Sequence, residues 1–244
     1  MTRLLPNYYR AAVVPEQLRS RQCNLCRAPV DETYDFCFQC NRRLFTRPDL
    51  AGFVAYAVKN RQSGAEMRRY KDRHPSPQAF KNVLLLLEQG LSHLHCAERL
   101  LGTPVGAFAV MPSRSHYQAD ALSPLQRLCD RTLPENMPLV GLRPTQGAIS
   151  DRQVHEDAFE VFAPPDTPHV ILIDDTWVSG ATVLSAVASL RKTGVQQVSV
   201  LTLARWLDPG FGPTRDFLTL GSQDPSWRRP QDVCPFTLNG SCPR

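Results

Sequence analysis

Two adjacent carboxylates, Asp174 and Asp175, lie between an apolar stretch and a loop of small residues in the sequence VILIDDTWVSGAT. A loop that opens a helix presents backbone N–H groups and the positive end of the helix dipole to an anion. Gly180 allows a phosphate to approach the backbone closely, and Ser179 and Thr182 can donate their hydroxyls to it. Carboxylates instead bind sugar hydroxyls or a hydrated divalent cation. The pattern therefore indicates a ligand with both a diol and a phosphate, which describes a phosphorylated sugar.

Two other interpretations of the paired acids stay open at this level. Paired aspartates at a strand end also occur in receiver domains and in magnesium-dependent phosphatases, where the pair follows an early strand. Here the pair comes late in the chain. A purely structural turn, with an Asp as the helix N-cap, is the other alternative.

Four cysteines near the N-terminus form two Cys-x-x-Cys pairs, Cys23 with Cys26 and Cys37 with Cys40, separated by ten residues. Each such turn directs two sulfurs at one point, and two facing turns give the tetrahedral four-thiolate site of structural zinc. A segment this small buries little apolar surface, so the metal would supply most of its folding free energy. The double spacing therefore predicts a structural Zn²⁺ site. Two redox pairs and, less favoured by the spacing, an iron–sulfur cluster are the alternatives.

The remaining four cysteines give a weaker signal. Cys96 and Cys129 fall within predicted helices, where a free cysteine is usually a small core residue. Cys234 and Cys242 lie in the Pro-containing stretch PQDVCPFTLNGSCPR, where pairing with each other and metal binding both stay open. We predict no role for either of these two.

Segments of strand and helix character alternate along most of the chain. Short β-branched or aromatic runs predict strands, and periodic apolar positions predict the helices between them. Uniformly apolar strands in such an alternation indicate an α/β fold with a parallel sheet covered on both faces, whose ligands bind at the carboxyl ends of strands. The predicted strands are 53–58, 105–110, 158–162, 169–174 and 198–205, and the predicted helices are 64–72, 78–101, 118–131 and 180–193.

A chain of 244 residues is long enough for one mid-sized domain plus a small module. We expect a basic arm with the four-cysteine zinc module over residues 1–48, the α/β domain over 49–207, and a loosely ordered Pro-containing tail over 208–244. No apolar run approaches the roughly 20 residues that span a bilayer. The first residues lack the apolar core of a secretory signal. The expectation is a cytoplasmic protein without membrane association.

Positive charge is concentrated in the first third of the chain. Residues 1–73 contain 14 Lys and Arg against 7 Asp and Glu, whereas the rest contains 14 against 16. Such a surplus can attract nucleic acid. Arg outnumbers Lys 24 to 4, however, which a GC-rich coding bias would also produce.

The segment IDDTWVSGAT resembles the phosphoribosyl-pyrophosphate loop of type I phosphoribosyltransferases, in which apolar residues and two acids precede Ser/Thr-Gly-x-Thr. Joined in this order to the double Cys-x-x-Cys, it resembles the ComF family of competence-associated, amidophosphoribosyltransferase-like proteins over roughly residues 20–206. Weaker similarities lie at Met67–Asp72, near the family's Lys-Tyr segment, and at Arg143–Val161. In the latter, Arg143 and Arg152 are candidates to close over the site, with solvated surface positions as the alternative.

This resemblance implies a type I phosphoribosyltransferase-like sheet that binds phosphoribosyl pyrophosphate with Mg²⁺ and transfers the phosphoribosyl group to a nitrogen acceptor. It also implies a role in DNA uptake and competence. The resemblance gives the catalytic positions and the ribose hydroxyls to Asp174 and Asp175, and the pyrophosphate side to Ser113 and Arg114. The phosphate loop would comprise Thr176, Val178, Ser179, Gly180, Ala181 and Thr182.

Two departures from the family pattern lead to an alternative function. Val178 and Ser179 stand where the family loop has two threonines, and FAVMPSRSHYQAD lacks the Arg-Gly-Phe-Asn-Gln motif that follows the corresponding family strand. The alternative is a catalytically inactive binding module that contacts single-stranded DNA or a DNA-processing partner protein through the zinc module and basic arm. Three tyrosines near arginines are candidates to stack on bases, with a packing role as the equal alternative: Tyr8, Tyr9 and Tyr34.

Overall fold

The computed structural model describes residues 5–112, 122–145, 153–162 and 166–244. Within these ranges the chain forms a six-stranded sheet with helices packed against it, and no helix is long and apolar enough to cross a bilayer. The strands are β1 Leu50–Val58, β2 Ala107–Val110, β3 Leu139–Pro144, β4 Phe159–Phe162, β5 His169–Trp177 and β6 Gln197–Leu207. The α-helices are α1 Phe38–Asn41, α2 Gln62–Arg69, α3 Pro77–Leu91, α4 Leu94–Leu101, α5 Pro124–Cys129, α6 Ala181–Lys192 and α7 Thr214–Ser222. Short 3₁₀ helices lie at Glu16–Arg21, Leu44–Thr46 and Pro230–Asp232.

The strand order is β1-β6-β5-β2-β3-β4, and every neighbouring pair is parallel except β3 and β4. Strands β5 and β6 are buried over almost their full length, as expected of a parallel sheet that is covered on both faces. The predicted α/β class, a mostly parallel sheet flanked by helices with a small cysteine module, is confirmed. Because β2 and β5 are parallel neighbours, the loops after them meet at the same edge of the sheet.

The predicted helix 78–101 is two helices, α3 and α4, separated at Ser92 and His93. The hydroxyl of Ser92 donates to the carbonyl of Gln89 at 2.8 Å, which competes with continued helical hydrogen bonding. His93 then leaves the helical region, with φ −106° and ψ 17°. Apolar periodicity could not detect this break, because the apolar positions keep helical spacing across it.

Segments from the N-terminal arm and from the C-terminal part of the described chain lie against β1, one of the two edge strands of the sheet. In the N-terminal arm, the carbonyl of Arg10 accepts from the N–H of Tyr56 at 2.9 Å. In the C-terminal segment, the carbonyl of Pro235 accepts from the N–H of Phe53 at 3.2 Å. These contacts occupy backbone groups that an uncovered edge strand would offer to another chain.

The segment after Leu207, for which the sequence indicates loose order, contains α7 and packs against the domain. Trp227 is 4% exposed, and its indole N–H donates to the carbonyl of Ala11 at 2.9 Å. Phe236 lies so close to Gly52 that a Cβ there would be 2.6 Å from its ring. These apolar side chains stand singly among Pro and Gly residues, so no periodic pattern marks them in the sequence. The division of the chain at residues 48 and 207 stays a prediction.

Candidate functional site

The loop between β5 and α6 turns at Gly180. This residue has φ 79°, a left-handed conformation that favours glycine, and it directly precedes Ala181, the first residue of α6. A Cβ at this position would lie 2.5 Å from the ring of Trp177, which is 1% exposed and stacks edge-on with Phe53. Glycine therefore lets the chain pass over the buried indole and enter the helix.

The start of α6 presents backbone N–H groups to the loop. The first helical hydrogen bond of α6 is the one that the N–H of Leu184 donates to the carbonyl of Gly180 at 2.9 Å. The N–H groups before Leu184 have no carbonyl partner within the helix. The hydroxyl of Ser179 is 3.5 Å from the N–H of Ala181, a long contact that a ligand could replace. A helix of 12 residues also adds the positive end of its dipole at this point. The physical features of this turn suit an anion.

Asp174, near the end of β5, is buried, with 9% of its surface exposed. Burial, reinforced by the neighbouring charge of Asp175, raises the pKa of the Asp174 carboxyl to about 8. The group is therefore largely protonated at neutral pH, and a neutral carboxyl can both donate and accept a hydrogen bond. The two aspartates are chemically identical in the sequence, but their different burial in the fold gives them different environments.

Asp175 is less buried than Asp174 and is held by two residues that follow the end of α2. The hydroxyl of Tyr70 donates to Oδ2, and the ammonium of Lys71 is 2.7 Å from Oδ1. A carboxylate oxygen can accept more than one hydrogen bond, so Asp175 can still accept from the hydroxyls of a ligand. Sequence reasoning missed this contact, for which the family similarity at Met67–Asp72 was the available signal.

A cavity of about 440 Å³ opens beside these groups, at the carboxyl ends of β2 and β5. Its volume lies in the range of small-molecule sites. Met111 and Pro112, which follow β2, form part of its wall together with Tyr70 and Lys71. All the predicted loop and acidic positions line it: Asp174, Asp175, Thr176, Val178, Ser179, Gly180, Ala181 and Thr182.

The four N-terminal cysteines converge on one point. Their Sγ atoms all lie within 4.8 Å of one another, and those of Cys26 and Cys37 are 3.6 Å apart. Two sulfurs of a zinc tetrahedron with bonds of about 2.3 Å are about 3.8 Å apart. The cluster of Cys23, Cys26, Cys37 and Cys40 is therefore arranged so that it could hold a metal ion such as zinc, as the double Cys-x-x-Cys spacing predicts.

Two arginines connect the cysteine module to the β5–α6 loop. Arg43 Nη1 donates to the carbonyl of Ser179 at 2.8 Å. Arg205, which is 7% exposed, donates from Nε to the carbonyl of Cys26 at 2.7 Å and from Nη1 to the carbonyl of Trp177 at 2.9 Å. The module and the loop are thus parts of one packed unit. Sequence reasoning missed both residues, because nothing local distinguishes them among 24 arginines.

The remaining predicted positions do not join this cavity in the described part of the chain. Ser113, Arg114 and Arg152 lie outside the described residues. Arg143 is on β3, where its guanidinium lies over the ring of Phe162 and 3.8 Å from the carboxylate of Glu160. Its side chain is 66% exposed, so a solvated position on the β3–β4 hairpin describes it best.

A scan against protein-family models matches no family, and a search of curated proteins finds no match. Among solved structures, Helicobacter pylori xanthine-guanine-hypoxanthine phosphoribosyltransferase aligns with 60% of this chain and 96% of its own, at 13% identity and a TM-score of 0.28. A likeness of this strength carries no argument about function. Membership of the ComF family stays a prediction, and the chemistry of the cavity has to be argued from its own contacts.

Proposed function

We propose that the chain binds phosphoribosyl pyrophosphate, together with Mg²⁺, in the cavity at the carboxyl ends of β2 and β5. One observation carries the proposal: two adjacent carboxyl groups and a glycine turn that opens a helix line the same cavity. A ribose with a 5-phosphate needs these two kinds of surface at opposite ends of one ligand, hydroxyl acceptors at one end and N–H donors at the other.

Each end of the cavity would have its own role. Asp174 and Asp175 would bind the ribose hydroxyls, and the backbone N–H groups of residues 179–182 would surround the 5-phosphate. Lys71 pairs with Asp175, and because an ammonium has three N–H donors it could also donate to a phosphate of the ligand. For the pyrophosphate side we propose Ser113 and Arg114, which follow β2 in the sequence.

Mg²⁺ prefers carboxylate and phosphate oxygens, which this cavity and its ligand would offer together. No cage of three or more metal-ligating side chains surrounds the cavity among the described residues, so the ion would arrive with the pyrophosphate. Bound there, Mg²⁺ would supply positive charge to the pyrophosphate oxygens. The residues of the chain position the ribose for attack by a nitrogen nucleophile at the anomeric carbon. We therefore propose phosphoribosyl transfer as the activity.

Isothermal calorimetry with phosphoribosyl pyrophosphate and Mg²⁺ tests this proposal. We expect the wild type to bind and the Asp174→Asn/Asp175→Asn double variant to bind about 100-fold more weakly or not at all. The reason is that a hydrogen bond to the Asp175 carboxylate contributes roughly 1.5–3 kcal/mol, and one to the neutral carboxyl of Asp174 roughly 0.5–1.5 kcal/mol. Ribose 5-phosphate, which keeps the diol and the phosphate but lacks pyrophosphate, should compete for the same site.

Asp208→Asn is the matched control, because Asp208 is an acid that pairs with Lys59 at 2.6 Å and does not line the cavity. This variant should bind like the wild type. Absence of binding to the wild type, or equal affinity in the double variant, would rule out the cavity as a phosphoribosyl pyrophosphate site.

A second candidate function is binding of single-stranded DNA through the cysteine module, which would fit the implied role in DNA uptake. The observation that favours it is a group of exposed aromatic side chains there: Tyr34 is 63%, Phe38 69% and Phe45 99% exposed. Arg42 lies over the ring of Phe38, so positive charge and aromatic faces are interleaved as in stacking platforms for bases.

Two of the three tyrosines predicted to stack on bases donate their hydroxyls to one buried carboxylate. Tyr9 is fully buried and its hydroxyl donates to Glu66 at 3.0 Å, while Tyr8 donates to the same carboxylate. Among these three, Tyr34 is the exposed one, at 63%, whereas Tyr8 is half-buried.

Fluorescence anisotropy with a labelled single-stranded oligonucleotide tests the second candidate. We expect Phe45→Ala to weaken binding at least about fivefold, since one base stacked on an aromatic ring contributes roughly 1–3 kcal/mol. Phe211→Ala is the control, because Phe211 is also exposed, at 78%, but lies outside the cysteine module. Equal loss in both variants, or binding that does not weaken with salt, would count against this interface.

A further inference from the structure

A second group of metal-ligating side chains lies where the C-terminal segment meets the start of α4. It consists of His93, Cys96, Cys234 and Cys242, whose candidate ligand atoms all lie within 4.8 Å of one another. Nδ1 of His93 is 3.7 Å from Sγ of Cys96 and 3.5 Å from Sγ of Cys242. In a zinc tetrahedron, a nitrogen ligand at about 2.0–2.1 Å and a sulfur ligand at about 2.3 Å are about 3.6 Å apart. The atoms therefore have the spacing of a ligand shell.

We propose that this group binds a second structural zinc ion. Three thiolates and one imidazole form one of the recurrent donor sets of structural zinc sites. Sulfur donors disfavour Mg²⁺ and Ca²⁺, which take oxygen ligands. The group is separate from the four N-terminal cysteines and from the ligand cavity, so the proposal does not depend on phosphoribosyl pyrophosphate binding.

The local chain geometry presents these ligands in two pairs. His93 and Cys96 are three residues apart across the start of α4, which brings their side chains to the same face. Cys234 and Cys242 flank a loop that closes on itself, because the N–H of Cys234 donates to the carbonyl of Gly240 at 2.9 Å. Gly240 has φ 72°, a left-handed turn that directs the last residues back toward α4.

A neighbouring amide can orient the imidazole for this role. The side-chain amide of Gln89 lies 3.1 Å from Nε2 of His93. When the amide oxygen faces the ring, it accepts a hydrogen bond from the Nε2–H group. The proton then stays on Nε2, and the lone pair of Nδ1 is free to bind the metal. Nε2 of His95 is 3.3 Å from Sγ of Cys96, so a second imidazole is close enough to substitute for His93. The cysteines are therefore the better residues to vary.

The ion would connect two distant parts of the chain. Cys234 is followed by Pro235, whose carbonyl accepts from Phe53 in β1, and by Phe236, which packs against Gly52. Zinc at this position would fix the C-terminal segment against both α4 and the edge strand. A disulfide is the competing explanation, but one disulfide among the three cysteines would leave a thiol and an imidazole of the group unused.

Zinc content of the purified full-length chain, measured by elemental analysis under reducing conditions, tests the proposal. We expect two ions per chain in the wild type. One ion should remain in Cys234→Ser/Cys242→Ser and one in Cys23→Ser/Cys26→Ser. The Cys129→Ser control should keep two, because Cys129 is a buried thiol outside both groups. The same zinc content in the wild type and in the Cys234→Ser/Cys242→Ser variant overturns the proposal.

Alkylation of the folded wild type gives a test that does not require any variant to fold. Cys242 is the exposed thiol of the group, and a metal-bound thiolate reacts slowly with iodoacetamide. We expect labelling of Cys242 to be at least about tenfold faster after chelation than before it. Equal rates with and without chelator, or an intact mass two hydrogens lighter without reductant, would replace the metal site with free thiols or a disulfide.

Discussion

Removal of metal from the four N-terminal cysteines is expected to unfold residues 20–45 and to leave the six-stranded sheet folded. Structural zinc contributes about 10–16 kcal/mol to small modules of this kind, far more than their own core can supply. Three of the four cysteines are buried in the folded module. Without the ion, the folded module would bury these thiols with no metal–sulfur bonds to stabilise it.

Hydrogen exchange measured by mass spectrometry locates the effect. The N–H of Cys23 donates to Ala28 at 2.8 Å, and the N–H of Asn24 donates to Asp35 at 2.9 Å. These hydrogen bonds lie within the module, so their amides should lose protection by about 100-fold or more when the module opens. Amides in β5 and β6, which are central in the sheet, should keep theirs.

The experiment is best done with Cys23→Ser/Cys26→Ser, because a chelator would also act on the zinc ion that we propose for His93, Cys96, Cys234 and Cys242. Arg205 donates to the carbonyl of Cys26 and to that of Trp177, so opening of the module should also speed exchange in the β5–α6 loop. Unchanged protection of the amides at position 23 and at Asn24 in the variant would mean that the module folds without metal.

The sequence predicts those structural features whose cause lies in residues that are close together in the chain. The apolar run before Asp174 predicts a buried strand, Gly180 predicts the turn, and both are found as expected. The Cys-x-x-Cys spacing works in the same way, since each pair is a single turn of chain. In each case the physical cause lies within a few residues of its effect.

The missed features depend on the tertiary arrangement. Tyr70 and Lys71 reach Asp175 from more than 100 residues away, because they follow α2, the helix after β1, and β1 and β5 belong to one sheet. Cys242 reaches His93 across 149 residues, through a C-terminal segment that has no periodic pattern. No local spacing marks such pairs, so the sequence indicated Cys96 only as a core residue.

The Asp174→Asn variant is expected to gain stability over the wild type as the pH rises from about 4 to about 9. Burial raises the pKa of Asp174 from 3.8 to about 8 in the folded protein, so in this range the folded chain holds a proton that the unfolded chain releases. The contribution of the protonated carboxyl is complete below the unfolded pKa and is lost as the pH passes the folded pKa. Asparagine is neutral throughout, so the difference should grow by on the order of 5 kcal/mol.

Urea unfolding of both proteins at several pH values measures this difference directly. Asp208→Asn is a control of opposite sign, because the hydrogen bond from Lys59 lowers the pKa of Asp208 and its contribution is lost as the pH falls. A ligand whose hydroxyls donate to Asp174 would favour the ionised carboxylate, so phosphoribosyl pyrophosphate should release a proton on binding near neutral pH. Parallel stability curves for wild type and Asp174→Asn would mean that the carboxyl is ionised in the free protein, and the two acids would then face the ligand as equal anions.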